Sequence, residues 1–353
     1  MVGGMSGVSG VEDVEALREV LRGGDDTKAW LEHLDRIGGP DFDVALPAAD
    51  DLPPVLIELA VPHEDIDALV VLRPSRERTP AIWWLLERCT HALINEMGAV
   101  GRPPGPTKFP ALPKRLGALS RYFYVYVYLA ALPHVRAYHR ALGIAEEVTR
   151  VTLADVGRNM SVHRRRRGVG GMAEPNWPVA HFRGVLYQLG RLQFQRARLG
   201  GRTGHGITAA GLPYGPGDPA LAVHVPAYYG PLTSEACDES FARARSFFAY
   251  HFPEERYGVA VCHSWLLDEQ LAEYLPEDAN IVRFQRRFRP AYQPAQDLSI
   301  LRFVFGVDDL PERAPLTPEA LNALPCRTAL ERAVAAHLKA GRRWHGGAGW
   351  LLL

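Results

Sequence analysis

The spacing of apolar residues changes near residue 150, and this change limits the chain to folds that join a helical part to a mixed one. Before it, apolar side chains recur every three or four residues. Val14, Leu17, Val20 and Leu21 form one such stripe, and Trp30, Leu31 and Leu34 a second, the pattern of one face of an α-helix. The apolar run Val55–Val61, the segment Asp65–Leu72 and the longer Ala81–Met97 continue the helical part, and Gly101–Pro113 is a proline-rich connector that cannot be helical. Within 121–142, Tyr122, Tyr124, Tyr126 and Tyr128 alternate as in a strand. The run is too long for an ordinary strand, so it is read as a helix with a kink at Pro133 and with core tyrosines.

After residue 150 short alternating segments appear between helical ones. Residues 146–167 and 178–189 are expected to be helices, 190–199 a strand, 200–217 a glycine-rich turn and 220–228 a second strand. A helix over 234–250, a strand over 259–265 and a helix over 266–275 follow. The remaining expectations are strands over 280–288 and 298–305, a helix over 328–340 and a closing strand over 344–353. Direct strand pairs and helical crossovers in one region predict an α/β (α+β) chain: a helical domain over 1–150, then a mixed β-sheet flanked by helices over 151–353.

Bulk properties exclude several classes. Of the 353 residues, 40 are Lys or Arg and 40 are Asp or Glu, so no net charge favours nucleic acid or an anionic membrane. Four scattered cysteines, Cys89, Cys237, Cys262 and Cys326, have neither disulfide nor zinc spacing, so no metal is expected. The first ten residues lack the basic and apolar regions of a signal peptide, and no run is long enough to span a bilayer. A cytoplasmic protein is expected.

Four constellations could carry chemistry. Arg165–Gly170 fits R-x-x-G-x-G, in which glycines let backbone N–H groups wrap a pyrophosphate. Arg165 and Arg167 are thus candidate phosphate ligands, or a helix end, or a basic patch for an acidic partner. The second is the strand Leu221–Val225, followed by Pro226, Tyr228, Tyr229, Gly230, Leu232, Thr233 and Ser234 before the next helix. An open strand end can pair with ligand amides, and a helix N-terminus favours anions; an ordinary capped loop has the same sequence. The third is the strand end Cys262, His263, Ser264 and the nearby Asp268. Cys262 and His263 point to opposite faces, so they cannot form a nucleophile–base pair. The fourth is His224, a candidate base for an acceptor amine or a structural histidine. Arg283, Gln285 and Arg287 share one face of the expected strand 280–288, a solvated basic face.

The segments Pro53–Asp67, Trp83–Gly98, Tyr187–Gln195, His224–Phe248, Cys262–Pro276 and Asn280–Phe288 resemble the two-domain GNAT-like acyltransferases of actinobacteria. The resemblance implies a fold that binds acetyl-CoA, another acyl-CoA or an acyl carrier protein and delivers the acyl group to the amine of a small molecule or peptide. The amine then attacks the thioester directly. On this chain it implies His224 as base, with His263, Ser264 and Asp268 near the leaving thiolate. Val225, Pro226, Tyr228–Gly230, Leu232–Ser234 and Cys262 would line the donor site. The loop at 230–234 departs from the usual phosphate-loop spacing, and no tyrosine stands where such enzymes place a proton donor. A non-catalytic thioester-binding scaffold is the alternative.

Overall fold

The computed structural model describes residues 13–101, 108–172, 174–293, 299–306 and 317–353. The chain divides into two compact units, Met1–Tyr187 and Gln188–Leu353. The division falls well beyond the expected 150, because the helices after that point pack on the N-terminal unit.

The first unit is helical. It contains α1 (Val14–Arg22), α2 (Asp25–Ile37), α3 (Leu52–Glu58), α4 (His63–Val71), α5 (Pro80–Asn95) and α6 (Leu119–Ala141). It ends with α7 (Glu146–Leu153), α8 (Asp155–Arg167) and α9 (Trp177–Phe182). Helix α6 is buried almost all round and continues through Pro133. A residue two positions on in a helix points to nearly the opposite side, so the four alternating tyrosines serve two faces. On one face Tyr122 donates to Asp65 Oδ1 at 2.7 Å and Tyr126 to the Leu69 carbonyl at 2.6 Å, one turn apart on α4. On the other, Tyr124 donates to the Pro110 carbonyl at 2.6 Å, and Tyr128 to that of Pro175. Each phenol thus enters the core with its hydroxyl satisfied, which removes the cost of burying it.

β1 (Leu186–Leu189) lies at the division. The second unit then runs β2 (Leu192–Arg198), α10 (Gly201–Ala209), β3 (Pro219–His224), α11 (Ser234–His251), β4 (Val259–Ser264), α12 (Asn280–Gln285) and β5 (Arg289–Tyr292). α13 (Ser299–Phe305), α14 (Pro318–Asn322), α15 (Ala329–Lys339) and β6 (Gly347–Leu352) complete it. The sheet order is β1-β2-β3-β4-β6-β5. The β3–β4 pair is parallel, and the β2–β3, β4–β6 and β5–β6 pairs are antiparallel. The sheet is mixed, as expected. Leu199 and Ile207, with Val259, Val261 and Trp350, form a core cluster around α10 on one face. On the other face Phe194 packs edge-on against Phe241 of α11, with ring centroids 5.4 Å apart.

Several expected elements differ. Residues 280–288 begin as helix α12, not a strand, because Val282 and Phe284 are buried and the Phe284 ring packs at a tilt on that of Phe288 just past the helix, with centroids 5.2 Å apart. Residues 299–305 are also helical, with Ile300 and Leu301 in a core shared with α15; Leu298 lies outside the described residues. The expected helix 178–189 stops at Phe182 and continues as β1, the expected turn 200–217 contains α10, and 146–167 is two helices. The expected helix 266–275 is two 3₁₀ turns, Trp265–Leu267 and Glu269–Glu273, whose starts are capped by the Ser264 and Asp268 side chains. Among the described residues no helix is long and apolar enough to cross a membrane.

Candidate active site

The parallel strands β3 and β4 share only two register pairs, Leu221–Ala260 and Ala222–Val261. Their outer ladders continue further. β2 pairs with β3 through Gln193–His224, and β6 pairs with β4 through Ser264–Gly347. The inner edges of 223–224 and 262–264 therefore face each other without a shared rung. Main-chain groups on such edges can pair with the amides of an extended ligand.

The loop after β3 leads to the N-terminus of α11, an 18-residue helix. Pro226 and Leu232 are buried and anchor this loop; Val225, Tyr228, Tyr229, Thr233 and Ser234 are half-buried, and Gly230 is exposed. Tyr229 and Gly230 have φ values of 71° and 77°. A left-handed tyrosine is strained, and such strain tends to collect at ligand sites. Thr233 caps the helix by accepting from Ala236 N at 3.2 Å.

Three arginines gather at this helix start. Arg287 donates to the Ser234 carbonyl at 2.9 Å and is ion-paired with Asp238. Arg191 donates to the Pro226 carbonyl at 3.0 Å, and Arg283 acts on Glu235. The Arg287 guanidinium holds the Asp238 carboxyl below its ordinary range. Glu235 is held low first by its own backbone N–H, then by Thr233 and Arg283. The two acids that would repel a phosphate here are thus engaged by neighbours. The sequence reading missed these arginines because it placed Arg283 and Arg287 on a strand; the spacing of the apolar residues around them fits a strand as well as a helix.

His224 and His263 lie two residues beyond the paired Ala222 and Val261, at equivalent levels and on one face of the sheet. A row runs across that face: Gln193 pairs with His224, while His263 pairs with Ala348, which pairs with Tyr292. His224 Nε2 lies 3.0 Å from Gln195 Oε1, so an accepting Gln195 places the ring proton on Nε2. The His263 ring lies 6.0 Å from that of Tyr292, and packing around it lowers its pKa by desolvation. Arg202 sits over the Tyr292 ring at 5.3 Å. Tyr292 and Arg202 were not among the sequence candidates.

The remaining candidates separate. Cys262 is buried on the opposite face, and burial pushes its thiol up to about 12, so it is not a nucleophile at neutral pH. Ser264 Oγ accepts from Leu266 N at 3.1 Å and stays half-buried at the strand end. Asp268 is fully buried and accepts from Gln270 N at 3.0 Å, Gln270 Nε2 at 3.1 Å and His345 N at 2.7 Å. This carboxylate fastens two loops together, which withdraws it from the expected place beside a leaving thiolate.

Arg165 and Arg167 stand at the end of a helix, not at the start of one. They lie in the last turn of α8 in the helical unit, which ends at Gly168 in the left-handed conformation, its N–H donating to the Arg164 carbonyl at 2.8 Å. Arg164 is ion-paired with the fully buried Asp65. A Cβ on Gly170 would lie 1.8 Å from Asp65 Oδ1 and 2.0 Å from the Tyr122 hydroxyl. A helix C-terminus presents carbonyls and negative partial charge, the wrong polarity for pyrophosphate.

Comparison with known proteins gives the family. Residues 50–184 match the N-acyltransferase N-terminal domain and residues 186–351 the GNAT-like C-terminal domain. Among solved structures, an acyltransferase in complex with decanoyl-CoA and teicoplanin is 42% identical, with a TM-score of 0.84 over 97% of this chain and 99% of that one. A mutant acyltransferase in complex with octanoyl-CoA gives the same four values, 42%, 0.84, 97% and 99%. An acyltransferase in complex with decanoyl-CoA is 39% identical, with a TM-score of 0.83 and coverage of 97% and 99%. No curated protein matches the chain. The chain belongs to the two-domain N-acyltransferases with a GNAT-like C-terminal domain, and it transfers an acyl group from acyl-CoA to an amine.

Proposed function

We propose that the enzyme moves a medium-chain acyl group from CoA to an amine on a glycopeptide-like acceptor. Solved relatives hold octanoyl-CoA, decanoyl-CoA and teicoplanin, and they align over 97% of this chain. The observation that carries the reading is the gap between β3 and β4, which ends beside the start of α11. Pantetheine amides pair with the free edges of the gap, and the phosphates meet the helix N-terminus with Arg191, Arg283 and Arg287. An acyl carrier protein presents the same pantetheine arm and is the second donor to test.

The amine approaches from the histidine face. Its nitrogen attacks the thioester carbonyl, His224 takes the proton that nitrogen loses, and the C–S bond breaks to release thiolate. His263, exposed near the end of β4 and with its pKa lowered by partial desolvation, lies beside this path. Ser264 stands at the end of β4 on the other face, where its hydroxyl can donate to the sulfur; Asp268 has no part. Direct attack needs proximity and one proton transfer, not a covalent enzyme intermediate.

The test incubates the protein with decanoyl-CoA and a panel of glycopeptide amines, simple amines and peptides, and follows free thiol and acceptor mass. The expected result is acceptor-dependent thiol release with the acceptor heavier by one decanoyl group. Thiol release that ignores the acceptor overturns the proposal.

A further inference from the structure

A cavity of about 250 Å³ opens in the C-terminal unit against β6, the strand on the far side of β4 from the gap. Its floor is Gly347, Ala348 and Gly349 of β6, and Leu267, Val282 and Phe288 wall it. These floor residues pair with Ser264, His263 and Cys262 at the end of β4. The cavity therefore starts one strand away from the place where the thioester carbonyl would sit.

We infer that this cavity holds the alkyl end of the acyl group and sets its length, an inference that rests on the acyl-CoA reading above. Drug-sized ligands occupy cavities of about 300–1,000 Å³, so this one suits a single unbranched chain and not a polycyclic acceptor. The walls are mainly apolar. The Gln285 amide nitrogen is already donating to the Leu266 and Asp268 carbonyls, at 2.7 and 2.9 Å. Glu269 and Arg286, the charged lining residues, are both exposed and so remain hydrated, which spares the cavity a buried charge.

The small residues of β6 make the space. A Cβ on Gly349 would lie 2.9 Å from Phe288 Cβ and 3.3 Å from Leu267 Cδ1, and one on Gly347 would lie 2.4 Å from Leu267 Cβ. The walls thus already touch the strand, and Ala348 is the only floor residue with a side chain. Ala272 is exposed in the lining, where a larger side chain reaches inward without repacking a core.

The test measures binding of CoA, octanoyl-CoA, decanoyl-CoA and dodecanoyl-CoA by calorimetry to the intact wild type, Ala272→Phe and Val282→Ala. Each buried methylene is worth about fourfold in affinity. The wild type is expected to bind decanoyl-CoA at least about a hundredfold more tightly than CoA. Ala272→Phe lowers that ratio about tenfold and moves the preferred chain toward octanoyl, while Val282→Ala moves it toward dodecanoyl. Opposite shifts from a filling and an emptying substitution cannot come from misfolding. Identical chain-length profiles in all three proteins overturn the inference and leave the acyl-CoA reading standing. Failure of the wild type to bind CoA or any of the thioesters overturns that reading, and this inference with it.

Discussion

Arg287 braces the first turn of α11 from outside the helix, its Nη2 donating to the Ser234 carbonyl at 2.9 Å. The same guanidinium is paired with Asp238, so one side chain both fixes the helix start and neutralises an acid beside it. Arg287→Met is expected to weaken CoA binding about tenfold and to flatten its salt dependence. Titration calorimetry at low and high ionic strength reads both effects. Arg165→Ala with Arg167→Ala should change CoA affinity less than about twofold, since both residues stand at a helix C-terminus, which offers a phosphate no free N–H groups.

His224 is held by Gln195 at 3.0 Å. His224→Asn should lower kcat by about 10²–10⁴ with little change in KM for decanoyl-CoA, the range expected when a general base is lost. Gln195→Leu should leave donor KM unchanged but lower kcat by about tenfold and shift the acid limb of the pH profile. Steady-state kinetics across pH, with the acceptor saturating, separates the two roles.

His139 supplies a pH effect on stability. It is fully buried, and desolvation lowers its pKa from 6.5 to about 4. Between these values the unfolded chain binds a proton that the native state does not, so stability falls as pH drops through that window. The loss from this residue approaches about 3 kcal/mol at its lower end. Denaturant midpoints between pH 7 and pH 4 should show it, and His139→Phe should remove this part of the slope whatever its effect at pH 7.

Gly170 touches the buried Asp65, which is ion-paired with the half-buried Arg164 and accepts from the Tyr122 hydroxyl. Gly170→Ala puts a methyl group where Asp65 Oδ1 and the Tyr122 hydroxyl now lie, and should cost about 2–4 kcal/mol by prising a buried, hydrogen-bonded pair apart. Urea unfolding followed by circular dichroism measures this cost. A loss under about 0.5 kcal/mol would show that the loop around Gly170 moves aside without strain.

The long helices were readable because a stripe repeated over several turns has one period. α6 was decided by its length, although its tyrosines alternate, and the structure explains the alternation by giving them two buried faces. Short segments were not decidable in the same way. In residues 280–288 the apolar positions fit periods of two and of nearly four, and only packing against the core selected the helix. The start of α11 at Ser234 and the ends of β3 and β4 were legible from turn and capping residues. Asp268 looks catalytic in the sequence as a polar residue just past a strand; its burial and its three donors, which argue for a structural part, depend on the fold. Arg165 and Arg167 lay in a matching motif, but polarity depends on which end of a helix the motif occupies.

The two-rung contact between β3 and β4 also divides the second unit into panels. Strands β1–β2–β3 form one and β4–β6–β5 the other, and a crease runs between them. A thioester arm lying in the crease would act as the missing strand and stitch the panels together. On that proposal the empty enzyme would be the more compliant form, and donor capture would be at once recognition and stiffening.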